Sequence, residues 1–439
     1  MKNKYIHKEL IYPNEKISRY FAPLEWRYLP YIDSLFFLTA YFKGKDFGIN
    51  ERDLKIYCLN NLQNIFCRIL GYFLESRFDK CYQSSIKEKM NKYLIFRNVF
   101  LNNPYSANPE PVFDLDNQSQ LIIDLYQDLN QLKKKIVDQL DLRESSLNIK
   151  KQFDANCLRE SAWQYKTIHF LQKKVSQELN SLVISCFIHG SFATEDFLEN
   201  WSDLDTVFIL NNKIFDKIDY LNRARRKLRK LSLLCDKIDP ISHHRFFFLT
   251  QFDLSYYPSF VFPPVIADYA MLLVGQKEIK INLRPDKYEK IQIMSNFVNY
   301  FRDKILNQKY SQDQIHWKND LAHVMLWPTF MLQAKGISVY KKHSFERVKK
   351  EFPEIDFKIV DRATILMENW SRTNLLRYYP NSLFALLPFR LNQIIINQQR
   401  RYLNRRIKQS FREIKQFTQK SLIFLEQSME LVLNKIKNE

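Results

Sequence analysis

Glycine is scarce in this chain, with 6 residues among 439, whereas lysine, asparagine, isoleucine and phenylalanine are abundant. Such a composition favours a helix-rich protein, although a biased codon pool would produce the same counts. No two cysteines form a Cys-x-x-Cys pair, which argues against a disulfide framework and a zinc site and indicates a reducing compartment. The six cysteines are Cys58, Cys67, Cys81, Cys157, Cys186 and Cys235.

Long apolar runs are also missing. The N-terminus, MKNKYIHKELIYPNEK, has no apolar core of the kind that a signal peptide needs. The longest apolar stretch, around Leu35 to Phe42, is too short to span a bilayer. We find no internal repeat and no low-complexity tract. A soluble, cytoplasmic protein is therefore the expectation.

The chain does have the material for packed cores and a strong excess of positive charge. Its 439 residues, 46% of them hydrophobic, suffice for two or three domains. Lysine and arginine outnumber aspartate and glutamate by 67 to 48, a formal net charge of +19. This surplus favours a polyanionic partner such as a nucleotide, a nucleic acid or an acidic membrane surface. A generally basic proteome would give the same number.

One stretch, residues 182–210, carries a specific arrangement of polar groups between two apolar runs. The first run ends in His189-Gly190-Ser191, and the second opens with Asp203-Leu204-Asp205. Side chains at positions i and i+2 of a strand point to one face, so the two carboxylates are expected to converge, with Leu204 buried behind them. Two like charges repel unless a cation lies between them, and Mg²⁺ prefers such oxygen ligands.

The glycine and serine that precede this pair suit a phosphate. Gly190 lets the backbone turn and lets a phosphate approach closely. Ser191 and the amides that follow would donate hydrogen bonds to it if residues 192–197 begin a helix. A phosphate site beside two carboxylates is typical of metal-assisted phosphoryl or nucleotidyl transfer. The alternative is a plain turn followed by a solvated strand end.

These residues resemble the signature of the DNA polymerase β-like nucleotidyltransferase superfamily: an apolar strand, Gly-Ser, about a dozen residues, then Asp-x-Asp on the next strand. The resemblance implies an α+β fold with a small mixed β-sheet. It implies that Asp203 and Asp205 hold two Mg²⁺ ions, with Mn²⁺ as an alternative. It also implies that Gly190 and Ser191 bind the β and γ phosphates of a nucleoside triphosphate, expected to be ATP. Thr206 is less apolar than the family usually shows at its position.

The superfamily usually places a third carboxylate on the next strand, which we predict over residues 239–250. Asp239 is the favoured candidate for this metal-binding and catalytic role, because Pro240 biases it towards extended geometry. Asp253, just past the predicted strand, is the alternative. The adjacent His243 and His244 would face opposite sides of a strand and so do not form a metal site by themselves.

Helical periodicity on both sides of this stretch predicts three parts. A helical N-terminal region covers residues 1–150, the nucleotidyltransferase core residues 151–285, and a helical C-terminal domain residues 286–439. In many relatives a following helical domain contributes basic side chains to the triphosphate. By resemblance, Lys335, Lys341 and Lys342 are the candidates for nucleotide binding.

Two further basic segments are interpreted mainly as solvated helix faces. A phosphate-contacting face is the alternative for the first segment, and contact with RNA or another acidic surface is the alternative for the second. The first segment comprises Arg223, Arg225, Arg226, Lys227, Arg229 and Lys230. The second comprises Arg401, Arg405, Lys408, Arg412 and Lys415.

The predicted function is metal-dependent transfer of a nucleoside monophosphate from a nucleoside triphosphate to an acceptor hydroxyl or phosphate, with release of pyrophosphate. The basic surplus leans towards RNA as the acceptor. A small molecule or a protein is the alternative acceptor. Outside enzymes, the alternative is a module that binds nucleotide or RNA without catalysis.

Overall fold

The computed structural model describes eight segments of the chain. They are residues 50–75, 80–101, 117–154, 163–241, 246–285, 289–370, 374–404 and 409–438. The fold is mixed α+β, with a small mixed sheet in the middle and helical segments on both sides, as the sequence predicted. Within the described segments, we find no helix that combines the length and the apolar character needed to cross a membrane.

The centre of the fold is a five-stranded sheet beside a separate two-stranded one. The strands are β1 (Arg143–Asn148), β2 (Lys151–Gln152), β3 (Val183–His189), β4 (Asp205–Leu210), β5 (Phe246–Leu249), β6 (Met271–Gly275) and β7 (Glu278–Leu283). The larger sheet has the order β2-β6-β3-β4-β5, and β1 pairs with β7. Strand β3 is antiparallel to β4 and β6, whereas β5 is parallel to β4. The sheet is therefore mixed, and β3 and β4 lie at its middle.

Both faces of the larger sheet are covered, which explains why β3 and β4 are apolar almost throughout. On one face, Phe187 and Val207 join the apolar cluster formed with β1 and β7. On the other face, Cys186 and Phe208 belong to a larger cluster shared with the helices before the sheet. This double coverage leaves the strand ends as the place where polar side chains of β3 and β4 reach solvent.

The N-terminal helices share an apolar cluster with the sheet. They are α1 (Glu51–Leu74), α2 (Lys80–Phe100) and α3 (Gln118–Ile136). Helix α1 begins at the cap residue Asn50, whose side chain accepts a hydrogen bond of 2.7 Å from the Asp53 amide. Its residues Phe66 and Leu70 are fully buried in the cluster that also contains Phe208. These helices therefore form one layer of the sheet's own core.

Further helices connect and flank the strands. They are α4 (Trp163–Glu178), α5 (Ile218–Ile238), and the short α6 (Gln251–Ser255) and α7 (Val265–Asp268). Helix α4 lies just before β3. Helix α5 buries Leu221, Leu228 and Leu234 along one side.

All the regular secondary structure described in the C-terminal part is helical. Its helices are α8 (Glu289–Leu306), α9 (Gln314–Ala334), α10 (Lys341–Glu351), α11 (Lys358–Glu368), α12 (Asn381–Leu386), α13 (Phe389–Asn404) and α14 (Phe411–Asn438). They enclose a second apolar cluster that includes the buried Trp317, Trp327 and Leu425. Trp201, from the connection between β3 and β4, also belongs to this cluster. That connection therefore reaches from the sheet into the helical part.

Two local expectations were wrong. Residues 192–197 do not begin a helix: a single 3-10 turn, Gly190–Phe192, follows β3. The left-handed backbone of Glu195, with φ of 62°, stops it from continuing. Asp239 does not begin a strand either. It caps the C-terminus of α5, and Pro240, which has no amide hydrogen, keeps the helix from extending.

Candidate active site

The structure places one carboxylate directly against the glycine that ends β3. Asp205 opens β4 and lies opposite His189 in the antiparallel register. Gly190 has a φ of +74°, and a Cβ atom built on it would lie 2.8 Å from Asp205 Oδ2. Only a residue without a side chain permits both this backbone conformation and this close approach. The sequence motif is therefore assembled in space, with its two halves in contact.

The turn after Gly190 is fixed by its own hydrogen bonds and by aromatic packing. The amides of Ala193 and Thr194 donate to the Gly190 carbonyl at 3.0 and 3.2 Å. The next buried ring, Phe192, stacks on Phe197 with 4.7 Å between the ring centroids. Ser191, between Gly190 and Phe192 in the chain, is half-buried. The turn thus presents Ser191 on a backbone that packing holds in place.

Asp203 and Asp205 are both half-buried, and Leu204 between them is 1% exposed, packed into the core as predicted. Burial raises the pKa of the Asp205 carboxyl well above its usual range, and the negative charge of Asp203 raises it further. The ammonium groups of Lys341 and Lys318 oppose this rise. The two carboxylates are therefore close enough to repel one another. The positive charges of Lys341 and Lys318 partly offset their negative charge.

The beginning of α10 lies over the acid pair. Burial lowers the pKa of Lys341, and Asp203 and Asp205 act to raise it. Lys341 as a residue is exposed, but protein crowds its ammonium group. Its neighbour Lys342 forms a 2.6 Å ion pair with Asp196, in the connection after the turn. Helix α10 is thus attached to the same loop that carries the carboxylates.

Tyr340, the cap residue of α10, completes this side of the site. Its ring stacks on Tyr269 with centroids 4.5 Å apart and an angle of 16° between the planes. Burial raises the pKa of Tyr340 to about 12, so the hydroxyl is neutral at physiological pH. The charges of Asp196 and Asp205 contribute to that rise, which places the hydroxyl near the carboxylates.

The other two predicted carboxylates each have polar partners of their own. Asp239 is fully buried: its Oδ1 accepts a 3.1 Å hydrogen bond from the Ile241 amide, and its Oδ2 forms an ion pair with Lys318. Asp253, the alternative, is the third residue of a capping box at α6, where its Oδ2 accepts hydrogen bonds of 2.7 Å from both the amide and the hydroxyl of Thr250. Strand β5 itself, Phe246–Leu249, has no acidic residue.

Lys318 is a member of the site that the sequence interpretation missed. It lies on α9, is 3% exposed, and donates a 2.6 Å hydrogen bond to the Trp201 carbonyl, two residues before Asp203. It was missed because it is 117 residues from Trp201 and 79 from Asp239 in the chain.

Lys335, the other lysine proposed for the nucleotide, is not brought to the acid pair. Its ammonium group forms a 2.6 Å ion pair with Glu351, the last residue of α10. Lys341 is the first residue of that helix, and eleven residues of α-helix extend for about 15 Å. The two lysines therefore mark opposite ends of α10.

The remaining sequence candidates fall into two groups. His243, His244, Arg405 and Lys408 lie outside the described residues. In the basic run of α5, Arg225 and Arg229 cover the rings of Phe73 and Phe389, at 4.4 and 3.7 Å from the centroids. Lys227 pairs with Glu178. Only half of that run, namely Arg223, Arg226 and Lys230, is exposed.

The acid pair suits a divalent cation better than a structural role. Asp205 is an unfavourably placed carboxylate, because burial and Asp203 both disfavour its charged form, and a bound cation would relieve this. In the described part of the chain, no three histidine, cysteine, aspartate or glutamate side chains are grouped to hold a metal. A cation here would thus rely on two protein carboxylates and on ligands from the substrate.

Comparison with known protein families agrees with this geometry. Residues 171–259 match the family model described as a nucleotidyltransferase domain. The chain carries a nucleotidyltransferase domain. The match begins within α4, ends beyond α6, and contains the turn and the acid pair, consistent with the DNA polymerase β-like superfamily and with no particular subfamily. No match emerged from the comparisons with curated proteins and with solved structures.

Proposed function

We propose that this nucleotidyltransferase domain transfers a nucleoside monophosphate from a nucleoside triphosphate, expected to be ATP, to an acceptor hydroxyl or phosphate. One observation carries the proposal: within the matched domain, Asp205 Oδ2 lies against Gly190, next to Asp203 and beneath Lys341. A backbone turn, two carboxylates and a lysine are the groups that this reaction needs.

In the proposed reaction, an oxygen of the acceptor attacks the α-phosphorus and the bond to the β-phosphate oxygen breaks. Pyrophosphate leaves with the electron pair of the broken bond, and an acceptor hydroxyl releases its proton to water. Ser191 and the turn would hold the β and γ phosphates, and Lys341 would offset the negative charge of the leaving group. Asp203 and Asp205 would hold Mg²⁺, which, when bound, supplies charge neutralisation to the phosphates. Positioning and electrostatics would provide most of the rate.

Asp239 was the expected third carboxylate, and that role stays a prediction. The ion pair between Asp239 and Lys318 competes with metal binding. A lone pair of the carboxylate oxygen that accepts a hydrogen bond from the ammonium group is not available to a metal. The proposal therefore rests on Asp203 and Asp205.

Two neighbouring basic stretches of the chain support RNA as the acceptor. Residues 220–235 of α5 hold six lysines and arginines, residues 374–404 hold four arginines, and neither range contains an aspartate or glutamate. The two ranges contact each other through Arg229 and Phe389. Arg377 approaches Glu199, four residues before Asp203, to 3.8 Å, so the region adjoins the acid pair. Positive charge along a surface that leads to the site suits a phosphate backbone.

The proposal is tested by incubating the protein with each α-labelled triphosphate, Mg²⁺ or Mn²⁺, and RNA, protein or small-molecule acceptors. We expect label on RNA and none with the double variant Asp203→Ala/Asp205→Ala. Label on a protein or a small molecule would assign the acceptor differently. Nucleotide binding without transfer to any acceptor would favour a non-catalytic binding module.

The acceptor surface has its own test. Replacing Arg223, Arg226 and Lys230 with glutamine should weaken RNA binding. It should also make the slope of log affinity against log salt concentration shallower, by the amount expected for the loss of up to about three phosphate contacts. The matched control replaces the exposed Lys349 and Lys358, whose ammonium groups pair with Asp361 and Asp356 at the surface. Equal losses in the two variants would indicate that the whole positive charge attracts RNA without a defined surface.

A further inference from the structure

A buried lysine connects the helical C-terminal part to the loop that delivers the acid pair. Lys318 lies in α9 and is 3% exposed, and its ammonium group contacts two segments of the catalytic part at once. It donates to the Trp201 carbonyl at 2.6 Å and forms an ion pair with Asp239 at the end of α5. A charged lysine in such a place is costly unless its partners are fixed.

The ring of Trp201 strengthens the same connection. The Lys318 ammonium group lies 5.2 Å from the centroid of that ring, within cation–π range. The ring also packs edge-on against Trp370, just after α11, with centroids 5.1 Å apart. Trp201 is thus held through its carbonyl and through its side chain, both by the helical part.

The backbone between this anchor and the acids is short. Trp201 is two residues from Asp203 and four from Asp205. The amides of Trp201 and Ser202 both donate to the Leu198 carbonyl, at 3.2 and 2.9 Å, so the segment forms a compact turn. A shift of Trp201 is therefore passed to Asp203 with little chain in between to absorb it.

We propose that Lys318 is a positioning residue, which sets the place of Asp203 by holding the Trp201 carbonyl, and that Asp239 serves to fix Lys318. The expected effect on kcat rests on the proposed function, because that function supplies the reaction whose rate is measured. The geometry of the connection is independent of that function. The proposal gives Asp239 a role in holding Lys318 that differs from metal binding, and experiment can separate the two roles.

Four variants separate them. Lys318→Met removes the anchor, and Lys318→Arg keeps its charge and donors. Asp239→Asn keeps an oxygen that accepts from Lys318 but removes the negative charge. Lys304→Met is the matched control, because Lys304 forms another buried ion pair with Asp320 of the same helix α9, inside the helical part.

For Lys318→Met we expect kcat to fall about 100-fold with little change in KM for the triphosphate, since an error of about 1 Å in placing a reacting group costs that much. Lys318→Arg should recover at least a tenth of the wild-type kcat. Asp239→Asn should lose less than tenfold. Lys304→Met should lower the thermal midpoint and leave kcat within about twofold of wild type, because its ion pair does not touch the loop.

A second measurement does not depend on activity. Hydrogen exchange followed by mass spectrometry reports the protection of the Trp201 and Ser202 amides. We expect faster exchange there in Lys318→Met, with or without Mg²⁺, and unchanged exchange in Lys304→Met. If Lys318→Met does not fold, Lys318→Arg and Asp239→Asn still test the proposal by both measurements.

Two results would overturn the inference. One is a kcat of Asp239→Asn as low as that of Asp203→Asn, together with near-normal kcat in Lys318→Met, which would make Asp239 a metal ligand. The other is unchanged exchange of the two amides in Lys318→Met. If the wild type shows no transfer at all, the proposed function fails while the exchange measurement still decides whether Lys318 holds the loop.

Discussion

At the scale of single residues, Gly190 is the most constrained position of the site. Its left-handed backbone excludes side chains on conformational grounds, and the neighbouring Asp205 oxygen excludes them on steric grounds. The second constraint is the one that matters for function, because any Cβ atom here displaces a carboxylate. The first is shared with Gly336, where φ is +80° and the space around a Cβ would be open within 4 Å.

We therefore expect Gly190→Ala to lower kcat by about 100-fold, because it moves the carboxylate of Asp205. Gly336→Ala should cost about 1 kcal/mol in unfolding free energy, since it has only the backbone strain, and should leave kcat unchanged. Steady-state kinetics and urea unfolding of both variants measure this. A Gly190→Ala enzyme of normal kcat would mean that Asp205 does not take part in the reaction.

The acid pair should also reveal itself in the dependence of stability on pH. The pKa of Asp205 is raised on folding, so between its ordinary value of 3.8 and its folded value the native chain binds more protons than the unfolded chain. Stability of the metal-free protein consequently falls as pH rises through that window. Asp205→Asn removes this loss.

We expect metal-free Asp205→Asn to unfold at a higher temperature than wild type near pH 7. The difference in unfolding temperature should narrow as the pH falls towards 3.8, because the folded wild type then holds Asp205 protonated and as neutral as the asparagine of the variant. Thermal unfolding in a chelator across that range measures it. The same series with Mg²⁺ should stabilise wild type and not the variant. A variant that is less stable than wild type at neutral pH would contradict this account.

At the scale of elements, only the N-terminal end of helix α10 lies near the acid pair. Lys341, its first residue, feels the charges of the acid pair, Lys342 pairs with Asp196 of the loop, and its last residue, Glu351, pairs with Lys335. Lys341→Ala should therefore weaken triphosphate binding about tenfold, the loss expected for one charged hydrogen bond. Titration calorimetry with a non-hydrolysable triphosphate measures this.

Lys335→Ala is the matched control for that prediction. It removes a partly exposed ion pair at the far end of α10 and should change the unfolding free energy by no more than about 1 kcal/mol. Its affinity for the triphosphate should equal that of wild type. Equal losses of affinity in the two variants would mean that α10 acts through its overall charge.

The elements also show which parts of the site a sequence can predict. Gly190, Asp203 and Asp205 were predictable because the motif is local: sixteen residues hold two strand ends that pair with each other, and alternation along a strand fixes which side chains share a face. Asp239 was assigned to the right neighbourhood and the wrong element, because a proline-terminated helix and an extended strand start share the same Asp-Pro signal. Lys318 required knowledge of long-range packing.

At the scale of the whole molecule, the helices before the sheet and the sheet itself share one core. Phe66 of α1 lies in the same cluster as Phe208 of β4, and its ring is 6.4 Å from Phe215, which follows β4. The boundaries at residues 150 and 285 remain predictions. The shared core indicates that residues before 150 and the catalytic strands unfold together.

Phe66→Ala should accordingly cost about 3 to 5 kcal/mol and lower the midpoint of the catalytic part together with that of the helices. The control is Phe411→Ala, at a ring that is 59% exposed, where we expect a change within about 0.5 kcal/mol. Urea unfolding followed by circular dichroism and by residual activity measures both. Loss of helical signal before any loss of activity would show that the N-terminal helices are dispensable.

The loop between the turn and the acid pair has a mechanical consequence. It is attached to the helical part at three points: Asp196 to Lys342, Glu199 to Arg377, and Trp201 to Lys318. A motion that separated the helical part from the sheet would strain all three attachments and would shift the two carboxylates relative to Gly190. Under the proposed function, the helical part and the sheet would therefore have to stay together for the carboxylates to remain in place.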